Sequence, residues 1–256
     1  DGSTTGLYTI YDGSATGLYY IYDGSTTGLC TIYDGSTMSI QAAIFDMDGL
    51  LIDSERLFMD LYAKAAMDFG YTIPQEAFIE SIGTPSDDTR RILFRGFGDG
   101  VPVKEIDKKF LEILDGYLKV HGMPVKAGVI EFLDSLSEAG IRRAVATSND
   151  MEGVRYLLSR DGLIDRFEVI VTRDDVKNPK PDPEIYLTTA SRLGVEPSSC
   201  IVFEDSEIGI NAALAAGMRA CLVPDLIQPS AEMSLKAFRI YSSLREANNE
   251  LSEILA

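Results

Sequence analysis

The stretch Ala42-Ala43-Ile44-Phe45-Asp46-Met47-Asp48-Gly49 decides how this chain is read. Four apolar residues in a row predict a short buried strand, and the glycine that follows lets the backbone turn sharply. Between them stand two aspartates, two residues apart. Residues i and i+2 of an extended chain point the same way, so both carboxylates can address one reacting group as far as the strand geometry persists. One could attack while the other moves a proton, or both could hold a hard cation through oxygen. Asp-Gly is also a common turn, so the tetrapeptide alone leaves both readings open.

Outward from this point, strand and helix patterns alternate. The sequence predicts strands at 42–46, 142–147, 167–172, 200–204 and 219–223, helices at 127–139, 151–160, 183–193 and 206–216, and a weaker strand and helix within 238–255. Such alternation means a parallel sheet with helices on both faces. The segment 54–122 carries helices only. In it Leu57, Leu61, Ala65 and Phe69 recur at helical spacing, and Phe110, Leu111, Leu114 and Leu118 do so later. It is expected to be an inserted domain, with linkers near Ile52-Asp53-Ser54 and Gly122-Met123-Pro124, between the core segments 38–53 and 123–256.

Residues 1–37 differ from the rest. They repeat every eleven residues as DGSTTGLYTIY, DGSATGLYYIY and DGSTTGLCTIY, and Asp-Gly turns between Tyr-, Ile- and Thr-bearing runs make a hairpin pattern. One reading is a small β-repeat that binds a partner or assembles. The other is a tag, or repetitive DNA translated in frame, ahead of a protein that begins at Met38.

Composition narrows the function. With 45% hydrophobic and 25% charged residues the chain is globular. A formal charge of −17 argues against nucleic acid, because no basic stripe exists to neutralise phosphates. An anionic small substrate would need a local reversal of that field by a metal ion and a few cations. No apolar run is long enough for a bilayer, and no basic-then-apolar leader pattern opens the chain, so a soluble, cytoplasmic protein with no membrane partner is expected. Cys30, Cys200 and Cys221 are too few and scattered for a disulfide framework or a zinc knuckle, and the last two, in strand-like runs, are expected to be buried thiols.

Ligands of parallel sheets bind outside the carboxyl ends of the strands. Four groups fall there: Asp46 and Asp48, Thr147-Ser148-Asn149, Lys180-Pro181, and Glu204-Asp205. Thr147 and Ser148 precede a helix start, where free N–H groups favour an anion, although Ser-Asn-Asp also suits plain capping. Lys180 sits among Pro179, Pro181 and Pro183; it is either a solvated charge or, held stiffly, a fixed cation for a phosphoryl group. Glu204 and Asp205 end a buried strand, where acids are costly without a partner; a Mg²⁺ shared with Asp46 would meet that need, and Asp205-Ser206 could cap a helix as well.

In this order and on these strand ends, the set resembles the haloacid dehalogenase-like (HAD) superfamily over about residues 40–240. Asp46-x-Asp48-Gly49 matches the first motif, Thr147 ends the second, Lys180 carries the third and Glu204-Asp205 the fourth. The wording from Phe45 to Glu55, with Lys180-Pro-Asp-Pro and Phe203-Glu-Asp-Ser206, is similar to the branch with a small helical cap. That branch includes β-phosphoglucomutase, 2-deoxyglucose-6-phosphate phosphatase and pseudouridine 5′-phosphatase. The resemblance implies an α/β fold, a Rossmann-like parallel sheet with an inserted all-α cap at 54–122. It implies Asp46 as nucleophile on a small phosphorylated metabolite and Asp48 as acid and then base. Mg²⁺ would be held by Asp46, the Asp48 main-chain carbonyl and Asp205, with Glu204 beside it, and Thr147, Ser148 and Lys180 would hold the phosphate. The aspartate at 48 favours phosphoryl transfer over C–Cl or C–P cleavage, since the dehalogenase and phosphonatase branches lack it.

Phosphatase and mutase remain to be separated. Where β-phosphoglucomutase carries a cap histidine, this chain has Phe58, and the arginine that grips a second phosphate aligns near Ser86. Both departures favour water as acceptor. His121, the single histidine, is expected at the surface. Glu55, Thr84 and Ser86 are the expected cap contacts to substrate. The expectation is a Mg²⁺-dependent phosphatase, a monomer or small homo-oligomer. The alternatives are a sugar-phosphate mutase and a binding or assembly protein working through the N-terminal repeat.

Overall fold

The computed structural model describes residues 6–10, 18–22, 39–82, 86–98, 100–159 and 162–255. Two compact units divide them between Ser39 and Ile40. In the first, β1 (Gly6–Ile10) and β2 (Leu18–Tyr22) pair antiparallel with Gly6 opposite Tyr22, while the Asp-Gly turns expected from the eleven-residue repeat lie outside the described residues.

The second unit is built on a six-stranded parallel sheet. Its strands are β3 (Ala42–Phe45), β4 (Arg142–Ala146), β5 (Val169–Val171), β6 (Cys200–Glu204), β7 (Arg219–Leu222) and β8 (Arg239–Ile240), in the order β5-β4-β3-β6-β7-β8. The chain runs from β3 outward to β5, then returns to the other side of β3 as β6. That reversal opens a crevice at the carboxyl end of β3, where open α/β sheets bind ligands.

Side chains alternate across each strand, and the sheet has a core on both faces. Ala43 and Phe45 point to the face covered by α5 (Val129–Glu138), α6 (Met151–Leu158) and α10 (Leu244–Asn249). There Phe45 stacks on Phe203 at 5.2 Å, with Phe132 edge-on to both. Ala42 and Ile44 point to the opposite face, against α7 (Glu184–Leu193) and α8 (Glu207–Ala215). The same alternation puts Asp46 and Glu204 on the α7 side. A short α9 (Ala231–Lys236) and α11 (Leu251–Leu255) complete the unit.

Between β3 and β4 lie α1 (Ser54–Met67), α2 (Gln75–Ser81), α3 (Ser86–Leu93) and α4 (Val103–His121), which share a small core of their own around Ala65, Phe78, Phe94 and Ile106. Leu57, Leu61, Leu114 and Leu118 turn the other way and join the core beneath the sheet. Two residues of the expected stripes do not follow. Phe69 is exposed because α1 ends at Met67, and Leu111 is exposed because its neighbour Phe110, about 100° away on the helix, takes the inward position. The chain leaves and rejoins the sheet through neighbouring residues: Asp53 N–H donates to Pro124 at 2.8 Å and Lys126 N–H to Leu51 at 3.0 Å.

Candidate active site

The sheet ladder continues one residue past β3, since Asp46 N–H donates to Phe203 at 3.0 Å. Extended geometry therefore holds as far as the first aspartate. Gly49 then turns the chain at φ +75°, and a side chain there would overlap the carboxylate of Asp205.

Lys180 arrives from the proline-rich loop before α7, and its peptide bond to Pro181 is cis. The ammonium, 5% exposed, donates to Asp46 Oδ1 at 2.6 Å, to Glu204 Oε1 at 2.7 Å and to the Ala146 carbonyl at 3.0 Å. The ring of Tyr186 lies 5.1 Å from it, and the Tyr186 hydroxyl donates to Glu204 at 3.1 Å. Burial alone would favour neutral lysine, but the charges of Asp46 and Glu204 hold Lys180 well above its ordinary value. It is a fixed cation, not a solvated one.

Glu204 is the best satisfied acid of the site. Besides Lys180 and Tyr186 it accepts from the Ser206 N–H at 2.9 Å and the Ser206 hydroxyl at 2.8 Å, and despite burial these donors hold it below its usual range. Gly209, in the first turn of α8, leaves room for that carboxylate, which a methyl group would overlap. Ser206, not Asp205, caps α8 by accepting from Gly209 N–H. Asp205 is thereby left facing the crevice. Burial, then Glu204 and Asp46, push it up to about 10. Asp46 is pushed to about 7 by burial, against the pull of Lys180.

One carboxylate oxygen from each of Asp46, Glu204 and Asp205 lies within 4.8 Å of the other two. Three acids converging on oxygen ligands, two of them driven toward protonation, form a donor set suited to a hard divalent cation. The residues therefore fit Mg²⁺.

Asp48 is clamped on both oxygens. Ser54 Oγ donates to one at 2.5 Å and Asn149 Nδ2 to the other at 2.5 Å. Burial raises this carboxyl above its ordinary value, and the two hydrogen bonds offset part of that effect. Thr147 is buried and accepts from Asn149 N–H at 3.1 Å, whereas Ser148 has an exposed side chain. The helix cap falls to Asp150, which accepts from Gly153 N–H at 2.8 Å. Asn149 is thus released for Asp48, a role that the capping pattern Ser-Asn-Asp conceals. The sequence does not single out Ser54 or Tyr186, and it places Asn149 at a strand end only beside a helix start; their bonds to Asp48 and Glu204 carry no signal until β4 and α7 are laid beside β3.

Around this centre, Glu55 opens α1 beside Ser54 and is pushed to about 7 by burial and by the charges of Asp225 and Asp48. It lines a cavity of about 550 Å³ between α1, α2, α3, α4 and Asn149, and a smaller one of about 260 Å³ beside Asp205. Asp225, three residues past β7, accepts through Oδ1 from both Arg56 and Lys126, one on each chain crossing of the insertion. Thr84 lies outside the described residues, as does the side chain of Ser86, whose backbone opens α3. His121 is exposed at the end of α4, its ring 4.7 Å from Tyr117, as the sequence leads one to expect. Cys200 and Cys221 are free, buried thiols.

Comparison with known proteins matches this arrangement. Residues 43–223 fit the family model of the haloacid dehalogenase-like hydrolases. A phosphorylated carbohydrates phosphatase of Thermotoga maritima is 34% identical over 183 residues, which cover 70% of this chain and 82% of that one. A β-phosphoglucomutase-like structure, also from Thermotoga maritima, superposes with a TM-score of 0.74 at 31% identity, covering 84% of this chain and all of the other. CbbY from Rhodobacter sphaeroides, solved with phosphate, gives a TM-score of 0.65 at 27% identity over 81% of this chain and 96% of its own. With a family match across residues 43–223, most of its length, the chain belongs to the haloacid dehalogenase-like hydrolases.

Proposed function

We propose that this enzyme is a Mg²⁺-dependent phosphatase that hydrolyses a small phosphorylated metabolite (a sugar, polyol or nucleoside phosphate) through an aspartyl-phosphate. The observation that carries the reading is Lys180 Nζ, buried between Asp46 and Glu204 while Asp48 stands two residues away with both oxygens clamped.

In the proposed reaction an Asp46 oxygen attacks phosphorus, and the ester P–O bond breaks toward the leaving alkoxide. Asp48, biased toward protonation by burial, gives that oxygen its proton. Water then attacks the phosphorus of the aspartyl-phosphate, Asp48 takes its proton, and the bond to Asp46 breaks to release phosphate. Lys180, the Thr147 hydroxyl and backbone N–H groups near Met47 and Ser148 would hold the equatorial oxygens. Asp46, Asp205 and the Asp48 carbonyl would bind Mg²⁺, with Glu204 beside them, and the ion when bound screens the repulsion between carboxylate and phosphate.

In this reading 54–122 acts as a cap over a core of 38–53 and 123–256, with Glu55, Thr84 and Ser86 toward the substrate. The cytoplasm suits the thiols of Cys200 and Cys221, which burial pushes up to about 11 and about 12. Among the described residues no helix is long and apolar enough to cross a membrane. Phosphate release from p-nitrophenyl phosphate that stops with EDTA, and is abolished in a folded Asp46→Asn variant, is the expected result. Retained turnover in that variant overturns the assignment.

Mutase activity is the second reading, kept by the likeness to the β-phosphoglucomutase-like structure. NMR would then find phosphate moving between two hydroxyls of one hexose without net release. The third reading, assembly through residues 1–37, predicts a change in oligomeric state or activity when the chain begins at Met38.

A further inference from the structure

The cavity of about 550 Å³ beside Asp48 lies within the roughly 300–1,000 Å³ of small-molecule clefts, and its lining changes along α1. Asn149, which donates to Asp48, and Glu55, next in sequence to Ser54, mark the end near Asp48. One turn further stand Phe58 and Met59, and Tyr62 follows about 10 Å beyond Glu55 at the rise of an α-helix. Phe110 of α4 meets Phe58 edge-on at 5.7 Å and Tyr62 at 5.4 Å, and Tyr62 meets Phe78 at 6.4 Å. The middle of the cavity is therefore walled by aromatic rings. The far end is polar again: Tyr62 donates to Asp107 at 2.7 Å and Arg90 donates to the other Asp107 oxygen at 3.1 Å.

Charge disfavours one class of occupant. Among the described residues the lining holds two acids, Glu55 and Asp107, and one cation, Arg90, which is engaged with Asp107. With Asp107 offset by Arg90 and Glu55 pushed to about 7, a second phosphate or a carboxylate on the leaving group would meet no excess of positive charge there. A bare hexose would cover less of the ring surface of Phe58, Phe110 and Phe78 than a flat heteroaromatic base does.

We propose that the leaving group is a nucleoside, and that the substrate class is a nucleoside 5′-monophosphate; this rests on the phosphatase reading above. Sugar hydroxyls would sit near Glu55 and Asn149, the base against the ring cluster of Phe58, Tyr62 and Phe110 where it lines the cavity, and its hydrogen-bonding edge toward Asp107 and Arg90, which present acceptor and donor side by side.

The test compares kcat/KM with Mg²⁺ for the uridine, cytidine, adenosine and guanosine 5′-monophosphates, glucose 6-phosphate, fructose 1,6-bisphosphate and p-nitrophenyl phosphate. The best nucleotide should exceed glucose 6-phosphate at least tenfold, with the bisphosphate below both. Phe58→Leu, which keeps bulk but removes the flat ring, should cut that preference at least tenfold. A smaller preference, with p-nitrophenyl phosphate hydrolysed, overturns the substrate class and leaves the phosphatase reading standing. An unchanged preference in Phe58→Leu overturns the stacking role. No phosphate from any of the seven overturns both.

Discussion

Lys180 donates to Asp46 at 2.6 Å although 134 residues separate them in sequence. The pairing holds a full positive charge against the oxygen that attacks in the proposed reaction, where little water can screen it. Lys180→Met should lower kcat by roughly 10²–10³, the scale for losing one donor to developing charge in a closed site. Lys180→Arg should not restore it, because the planar guanidinium cannot replace a compact ammonium in a cradle set by Asp46, Glu204 and the Ala146 carbonyl. Steady-state kinetics on variants with unchanged circular dichroism provide the check; near-normal turnover in Lys180→Met would remove the residue from the mechanism.

Asn149 positions Asp48 and should be read through its effect on that carboxyl. A hydrogen bond to a charged group is worth about 1.5–3 kcal/mol, so Asn149→Ala should lower kcat by roughly 10–150-fold. The Asn149 bond lowers the Asp48 pKa, so its loss should move the alkaline limb of the kcat profile, where the acid is spent, to higher pH. A limb that stays in place while kcat falls would assign Asn149 to packing alone.

Mg²⁺ binding should release protons. Without the ion, Asp46 near pKa 7 and Asp205 near 10 are protonated over much of the neutral range, and a bound cation displaces those protons. Affinity should therefore rise from pH 6 to pH 8, and calorimetry in buffers of different ionisation enthalpy should report proton release. Both folded values lie above the ordinary carboxylate value, so the stabilising effect of protonation is complete below about pH 4. It is lost for Asp46 as pH rises through about 7 and for Asp205 through about 10. EDTA should accordingly lower the melting temperature more at pH 8 than at pH 5; a pH-independent effect would contradict the linkage.

Asp225 ties the two crossings of the insertion to the end of β7 through Arg56 and Lys126. Its side chain is 2% exposed while that of Arg56 is 44% exposed, so one partner remains solvated when the bond is lost. Asp225→Ala should destabilise by roughly 1–3 kcal/mol, below the cost of breaking a fully buried pair. Urea unfolding measures it, and KM should rise as α1 loosens over the site. An unchanged midpoint would mean that the backbone bonds at Asp53 and Lys126 suffice.

The legible part of this protein is the part governed by local rules. An apolar run ending in Asp46-Met47-Asp48-Gly49 can hardly be other than a buried strand turning sharply, and the same holds for Ile201-Val202-Phe203 before Glu204. Strand–helix alternation then fixes which end of the sheet those acids share. The role of Asn149 is not legible, because Ser148, Asn149 and Asp150 are equally good caps by type. Only the pairing of β4 beside β3 selects Asn149 for Asp48. Asp225 gives no signal either, since its partners come from Arg56 and Lys126, and that meeting exists only after the insertion has folded back. The misplaced stripe members fail for a geometric reason: Phe69 lies past the last turn of α1, and Leu111 competes with Phe110 for one helix face.

The paired crossings at Asp53–Pro124 and Leu51–Lys126 have a bearing on descent. A segment whose two ends meet can be lengthened, shortened or swapped by one splice, without rethreading a strand or changing the order of the sheet. The acids and Lys180 at the sheet edge can then keep their places whatever helices the bubble of chain contains, because none of their bonds to one another passes through it.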